Sequence, residues 1–505
     1  MSPVLALVSG ILLGLAFPKF GMGWLAAFAL VPLLVAIHPP GSRPEAARTP
    51  RRAFRLGYLT GFAFFLILLH WIPRLPRENV TIPYAMIPAL FLVCAYLALY
   101  PALAAAVSAW LARRGVPIAL SFPAAWTLLE ALRGTGIFGF PWGSLGYALA
   151  PFPHVIQFAS VTGLWGVTLW LVAINGVVHA YLGMDWSRGK AWLTGGLFLL
   201  LAAPYLHGRA VLGGAEPATA IRVGMVQPNI GKNKWDRAVR DSLVEVLLVQ
   251  TELLVRESFG EEPDLILWPE TAIPARLPRE PVVRFRVESM IDTLGIPLLA
   301  GFPDGEPLAE DSYRFTNSAA LVLPEEGMVG RYDKRHLVPF SEHFPFPLLQ
   351  RYDFGQSNFS RGEDPGYFDQ IGVPFGVLIC FESIFPGQAR ELTNMGARFL
   401  VNITNDQWFG DSAAPSQHFY MNVLRAVENG VGIARAANTG ISGIIDSHGF
   451  VRDRSGTFVQ QRLVAAVPLG EGDTVYRRFG NWVLWLCGAV LAACLARGVA
   501  ARGRA

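Results

Sequence analysis

Charge is scarce in this chain. Asp, Glu, Lys and Arg make up 16% of its 505 residues, while 52% are hydrophobic; soluble domains carry about 25% charged residues. An ordinary soluble fold is therefore excluded as the first expectation, and a membrane protein takes its place. The formal net charge is only +4, and the basic residues are spread over loop clusters without interleaved aromatics, so nucleic acid is not an expected partner. Cysteine is scarce too. Cys94, Cys380, Cys487 and Cys494 are the whole set, and all but Cys380 lie in strongly apolar runs. Cys380 has no cysteine partner in its own region, which excludes a disulfide framework there. No zinc-type Cys/His spacing and no Gly-x-Ser-x-Gly elbow occur, so neither a metal nor a serine hydrolase is suggested. Internal repeats and low-complexity segments are lacking as well.

What is present is a series of apolar segments, at 3–17, 22–38, 55–72, 83–112, 117–132, 155–182, 191–206 and 480–497. They are long enough, or nearly so, to cross a hydrocarbon core of about 30 Å, which predicts eight transmembrane helices. No Lys or Arg precedes the first and no small-residue cleavage site follows it, so it is expected to be retained. One set of alternate loops carries Arg43, Arg48, Arg51, Arg52 and Arg55, then Arg113 and Arg114, then Arg188 and Lys190, and ends in the basic C-terminal tail; the opposite set carries Lys19, Arg74, Arg77 and Arg133. The positive-inside rule then predicts cytoplasmic termini and a globular segment on the outer, periplasmic side. The expected division is a bundle of seven spans over 1–209, a globular domain over 210–475, and an eighth helix with its tail over 476–505.

Within 210–475 apolar runs bounded by turn residues recur at 221–229, 264–270, 296–304, 318–323, 373–383, 397–405, 441–449 and 462–469, and read as strands. Stretches of helical periodicity lie between them at 236–258, 281–294 and 415–430. The alternation predicts a layered α/β domain with buried strands.

Three residues stand at or near ends of apolar runs, where α/β sheets place functional groups: Glu270 in "DLILWPE", Lys334 in "GRYDKRHLVPFSEHFP" and Cys380 in "GVLICFESIFP". Singly each has a plain structural explanation: a core cysteine, a helix-terminal acid, a solvated lysine. Together they supply what thiol chemistry needs, a base, a cation for developing negative charge and a nucleophile. His336 and His418 are the alternatives for a Cys/His pair.

These motifs, with "RAVENGVGIARAANTG" after them, resemble the nitrilase superfamily, which implies an αββα sandwich and a Glu-Lys-Cys triad. With the apolar bundle before the domain and one span after it, and with "LRGTGIFGFPWGSLGY" and "NDQWFGDSAAPSQH", the whole chain resembles the apolipoprotein N-acyltransferases of the bacterial inner membrane. The resemblance implies Glu270 as proton acceptor, Lys334 as oxyanion stabiliser and Cys380 as nucleophile, with Glu342 and Glu382 as supporting acids. It further implies transfer of an acyl chain from a membrane phospholipid, through a thioester, to the α-amine of a diacylglyceryl-apolipoprotein, by a monomer without a cofactor.

Excluding water from a thioester while admitting two lipids calls for apolar lids. Trp408 and Phe409 in "QWFG", Phe346 in "PFPLL", and Trp142 are the expected substrate-binding residues. Arg133 is expected to snorkel to the head-group level, with pairing to Glu130 or to a head group as the alternative. A membrane-anchored amidase or nitrilase hydrolysing small amides is the rival enzyme, and a transporter or receptor with a non-catalytic outer domain is the rival outside enzymes.

Overall fold

The computed structural model describes residues 1–75, 83–185, 187–214, 219–231, 237–309, 312–344, 358–470 and 472–502. They divide into two units, Met1–Arg74 with Tyr84–Gly214 and Arg478–Ala505, and Leu75–Pro83 with Ala215–Arg477.

The second unit carries the strands β1 (Ala220–Gln227), β2 (Leu265–Leu267), β3 (Leu298–Ala309), β4 (Ser312–Leu323), β5 (Gly327–Asp333), β6 (Tyr367–Phe368), β7 (Phe375–Ile379), β8 (Phe399–Thr404), β9 (Gly432–Ala437), β10 (Gly443–Ile445), β11 (Val451–Arg454) and β12 (Gln461–Pro468). They form two six-stranded sheets, ordered β12-β1-β2-β3-β4-β5 and β11-β10-β9-β8-β7-β6. Both are mixed: β1, β2 and β3 run parallel in one and β7, β8 and β9 in the other, with antiparallel strands at their flanks.

Side chains alternate across each strand, and the alternation assigns the layers. Val223, Met225, Leu265 and Leu267 from one sheet meet Val377, Ile379, Val401 and Ile403 from the other in a shared core. Their neighbours Val226, Ile266 and Ala300 turn the other way, onto Val244, Leu247, Val287 and Ile291 of helices Arg237–Glu257 and Pro281–Leu294. Helices Pro386–Asn394 and Ala414–Asn429 cover the outer face of the second sheet. Each fully buried aliphatic side chain contributes about 1.5–3 kcal/mol, so the strand ends that carry the site are held rigidly.

The predicted helix 281–294 forms over those residues, with Pro281 in its first turn and Gly295 closing it at φ +67°. Proline there gives up an N–H that the first turn leaves unpaired, and glycine takes the left-handed cap without steric cost. The predicted helix 415–430 forms over Ala414–Asn429 and ends on Gly430 in the same way.

The first unit holds all five helices long and apolar enough to cross a membrane among the described residues, Pro50–Arg74, Met86–Ala112, Ala159–Leu182, Arg188–Leu212 and Trp482–Ala501. Three of the eight expected segments form shorter elements. Ser2–Leu15 has 14 residues and Ile118–Arg133 has 16, about 21 and 24 Å at 1.5 Å per residue. Segment 22–38 breaks into a 3-10 turn, Gly23–Ala27, and a helix, Val31–Ile37. Arg133 does not snorkel. It is 2% exposed, donating to the carbonyls of Phe140 and Trp142 at 2.9 and 2.6 Å and lying 3.7 Å from Glu130. A guanidinium has five donors to satisfy, and the loop 134–144 takes three of its contacts, at Phe140 O, Trp142 O and Ser144 Oγ.

Candidate active site

β2 runs out into Trp268, Pro269 and Glu270. The Trp268 ring is fully buried and its Nε1 donates to Thr251 Oγ1 at 2.9 Å, anchoring the strand end to the helix Arg237–Glu257. Proline fixes the exit of the chain, and Thr271 then takes a φ of +47°. The turn lies directly against β3, where a Cβ on Gly301 would meet Pro269 O at 2.4 Å and Glu270 Cα at 2.7 Å. Gly301→Ala is expected to displace Glu270, at about 1–3 kcal/mol of stability and with most of the activity. A thermal melt beside a turnover assay checks this; a variant unchanged in both would show slack in the turn.

Glu270 belongs to a buried four-residue cluster. Its Oε1 accepts from Lys334 Nζ at 3.1 Å and from Asn317 Nδ2 at 2.7 Å, and Glu342 Oε1 accepts from the same two donors at 2.8 and 2.9 Å. β4 and β5 bring the donors together, the Lys334 backbone N–H donating to Asn317 O at 2.8 Å. Glu342 Oε2 accepts the Val338 N–H at 2.8 Å, closing the turn that delivers it. Burial opposes a charge on Lys334, which is 1% exposed, but the carboxylates of Glu270 and Glu342 outweigh it and hold its pKa well above the ordinary value. Lys334 is a permanent cation at neutral pH.

The second oxygen of Glu270, Oε2, accepts the Asn405 N–H at 2.8 Å. A carboxylate oxygen has two lone-pair sites. Oε1 faces two donors and Oε2 one, so Oε2 is the less engaged oxygen and the one with more room for a proton.

Strand register brings Cys380 near this cluster. Ile379, the last residue of β7, pairs with Ile403 of β8, which sets Cys380 beside Thr404, one residue before Asn405. Cys380 has a φ of +51° and opens the 3-10 turn Cys380–Ile384, a left-handed conformation that a non-glycine residue holds only under constraint. Burial and the negative charge of Glu270 push its thiol pKa up, with Lys334 pulling the other way. The thiol therefore stays protonated at neutral pH, and nucleophilic use of it would require a base.

Glu382 supplies part of the constraint. It is fully buried; Oε1 accepts from Tyr332 OH, the Arg335 N–H and the His336 N–H at 2.7, 2.7 and 3.0 Å, and Oε2 accepts from the Ile379 N–H at 2.8 Å. Its carboxylate thus fastens the segment carrying Lys334 to the strand end carrying Cys380. His336 is engaged elsewhere, 2.8 Å from Gln388 Oε1 and stacked on Phe385. His418 lies against the Cys380 carbonyl, its Nε2 3.1 Å from that oxygen, with Asp406 and Arg435 around its other nitrogen.

Sequence reasoning passed over Asn317, Asn405, Asp406 and Arg435. Two of them carried a signal: Asn317 interrupts a β-like run, where asparagine is disfavoured, and Arg435 is a lone charge in the apolar stretch "GIARAA", which requires a buried partner. Trp408 is 40% exposed in the 3-10 turn Asp406–Phe409 that leads away from Asn405, and the Phe409 ring lies edge-on to His418 at 6.1 Å. Trp142 is in the other unit, buried and packed on Phe140 and Trp71. Phe346 lies outside the described residues.

Residues 9–177 match the family described as apolipoprotein N-acyltransferase N-terminal domain, and residues 222–476 match that described as carbon-nitrogen hydrolase. An apolipoprotein N-acyltransferase of Geobacter metallireducens is 37% identical, over 98% of this chain and 95% of that protein. One from Chlorobaculum tepidum is 32% identical, over 96% and 94%. Among solved structures, a mutant nitrilase-superfamily amidase from Nesterenkonia is similar at 18% identity and a TM-score of 0.40, covering 54% of this chain and 98% of its own.

Proposed function

Because the chain belongs to the apolipoprotein N-acyltransferase family, we propose that its buried cluster moves an acyl chain from a membrane phospholipid to the N-terminal amine of a diacylglyceryl-apolipoprotein, with Cys380 as nucleophile, Glu270 as base and Lys334 as oxyanion cation. In the first half-reaction Glu270 Oε2 takes the thiol proton and the thiolate attacks the ester carbonyl of the phospholipid. Lys334, with the Phe381 N–H, holds the oxyanion, each donor contributing on the order of 3 kcal/mol. The C–O bond then breaks, the alkoxide takes the proton back from Glu270, and a lysophospholipid leaves a thioester on Cys380. In the second half the α-amine attacks the thioester carbonyl and gives a proton to Glu270. The C–S bond breaks, the thiolate recovers that proton, and the product is an amide.

Glu342 keeps Lys334 paired while Glu270 is protonated, so the cation persists through both halves. What supports this reading is an ammonium held between two buried carboxylates next to a thiol that its surroundings keep protonated. Relatives matching 98% and 96% of the chain leave the amidase alternative without support of its own.

The finer arrangement is proposed on the same footing. A bundle over 1–209 and a last helix over 476–505 complete eight crossings, with both termini cytoplasmic and the domain 210–475 periplasmic, in a bacterial inner membrane; the protein acts as a monomer. Trp408, Phe409 and Phe346 contact lipid. Intact-protein mass spectrometry after incubation with phospholipid tests the central step: one added acyl group, removed by a diacylglyceryl-cysteine peptide and absent from Cys380→Ser. Ammonia release from simple amides with no acyl adduct would sink it.

A further inference from the structure

The nucleophile's turn adjoins a polar cluster that this reaction leaves without a role. His418, Asp406 and Arg435 are 1%, 0% and 0% exposed, and ligating atoms of Cys380, Asp406 and His418 lie within 4.8 Å of one another. Thiol, imidazole and carboxylate so close together suggest either a Cys-His-Asp relay or a metal site. The hydrogen bonds argue against both.

A carbonyl oxygen only accepts, so His418 Nε2, 3.1 Å from Cys380 O, carries the ring proton. A guanidinium only donates, so Nδ1, 3.0 Å from Arg435 Nη2, receives an N–H. Asp406 Oδ1, also 3.0 Å from Nδ1, draws toward a second ring proton. Burial and the Arg435 charge oppose it and bring the imidazole below its ordinary pKa, so the ring is neutral. With Nε2 protonated and Nδ1 occupied, the ring has no lone pair for a thiol proton or an ion. Arg435 also holds Asp406 Oδ2 at 2.8 Å, placing a fixed cation where a metal would sit.

The cluster converges on the Cys380 carbonyl. That oxygen also accepts from Ser383 Oγ at 3.1 Å and Asn402 Nδ2 at 3.4 Å, and Arg435 Nη1 donates to Asn402 Oδ1. We propose that His418, oriented by Asp406 and Arg435, is a positioning residue for the nucleophile: its Nε2–H fixes the Cys380 carbonyl, and with it the left-handed turn that presents the thiol. The inference rests on the acyl-transfer reading of Cys380. It makes acyl loading depend on His418 as a donor and not as a base.

The test uses the full-length chain in detergent micelles, as His418→Gln and His418→Phe. Two rates are read by intact mass: acyl loading from phospholipid across pH, and alkylation of Cys380 by iodoacetamide, with Cys380→Ser as blank. The glutamine amide nitrogen reaches the position of Nε2, so His418→Gln is expected to keep both rates within about threefold of wild type, while His418→Phe loses about 100-fold in loading. His418→Phe is also expected to alkylate more slowly than His418→Gln, and the pH midpoint of loading stays put. Loss of loading in His418→Gln with a shifted midpoint would make His418 the base and overturn the proposal, whether or not His418→Phe folds. Undiminished loading in His418→Phe would overturn it equally. A wild type that takes no acyl chain from phospholipid would sink the acyl-transfer reading alone; the alkylation ratio of the two variants would still decide the role of His418, equal rates refuting it.

Discussion

Glu270→Gln is expected to leave the protein folded, with a more acidic Cys380, and yet about 10²–10⁴-fold slower in acyl loading. Oε2 is the less engaged oxygen of this carboxylate, whose contacts among the described residues are the donors Lys334, Asn317 and the Asn405 N–H. A glutamine offers those donors one oxygen and sets an NH2 against the rest, so no group remains to take the thiol proton. Stability should hardly suffer, because the change turns one cation between two buried carboxylates into the balanced pair of Lys334 and Glu342. The thiol itself should ionise more readily, since the charge of Glu270 adds to burial in raising its pKa. Iodoacetamide, which needs only thiolate, should therefore modify the variant faster than wild type at pH 8–9, while phospholipid loads it far more slowly. If both rates fell together, Glu270 would be placing the thiol and not deprotonating it. Loading above a tenth of the wild-type rate would put the base elsewhere.

The contrast between base and framework also marks what sequence can carry. Strands β7 and β8 are predominantly apolar runs rich in branched and aromatic residues and are legible as such, and Pro281 with Gly295 bounds its helix to the residue. β9 is not legible, because "GIARAA" has one branched residue, Ile433, and no aromatic; small side chains suit a strand buried on both faces, and the pattern carries no period. β5 and β11, glycine- or arginine-rich and less buried, fail for the opposite reason, having too little apolar content to register. In the site, the motifs single out Glu270, Lys334, Glu342, Cys380 and Glu382. Nothing in their spacing says that β4 brings an asparagine between two of the acids, or that a three-residue strand ends where an adjacent sheet offers a backbone N–H. Those placements depend on register across strands far apart in sequence, such as Ile379 with Ile403.

Lys334→Met should be the most damaging single change, and on stability as well as rate. Removing the ammonium leaves Glu270 Oε1 and Glu342 Oε1 facing each other across the Asn317 amide, both buried, with no cation hydrogen-bonded to either among the described residues. Breaking a buried pair in this way costs about 3–5 kcal/mol, and the lost oxyanion cation costs on the order of 10²–10³ in loading rate. The two variants thus separate: Glu270→Gln melts near wild type, whereas Lys334→Met melts well below it, although each removes one charge from the same cluster. The pH dependence follows from the sign of the shift. In the wild type the pKa of Lys334 is raised above its ordinary 10.5, so its contribution to stability is complete below that pH and is lost only as pH climbs through the raised value. In Lys334→Met the cheapest relief is for one carboxylate to bind a proton, so that variant should gain stability relative to wild type as the pH is lowered from 8 toward 5. Melting temperatures of the three proteins across that range decide the point. A constant gap between Lys334→Met and wild type would mean that the two carboxylates do not repel across the amide, and that Lys334 serves the reaction without holding the cluster together.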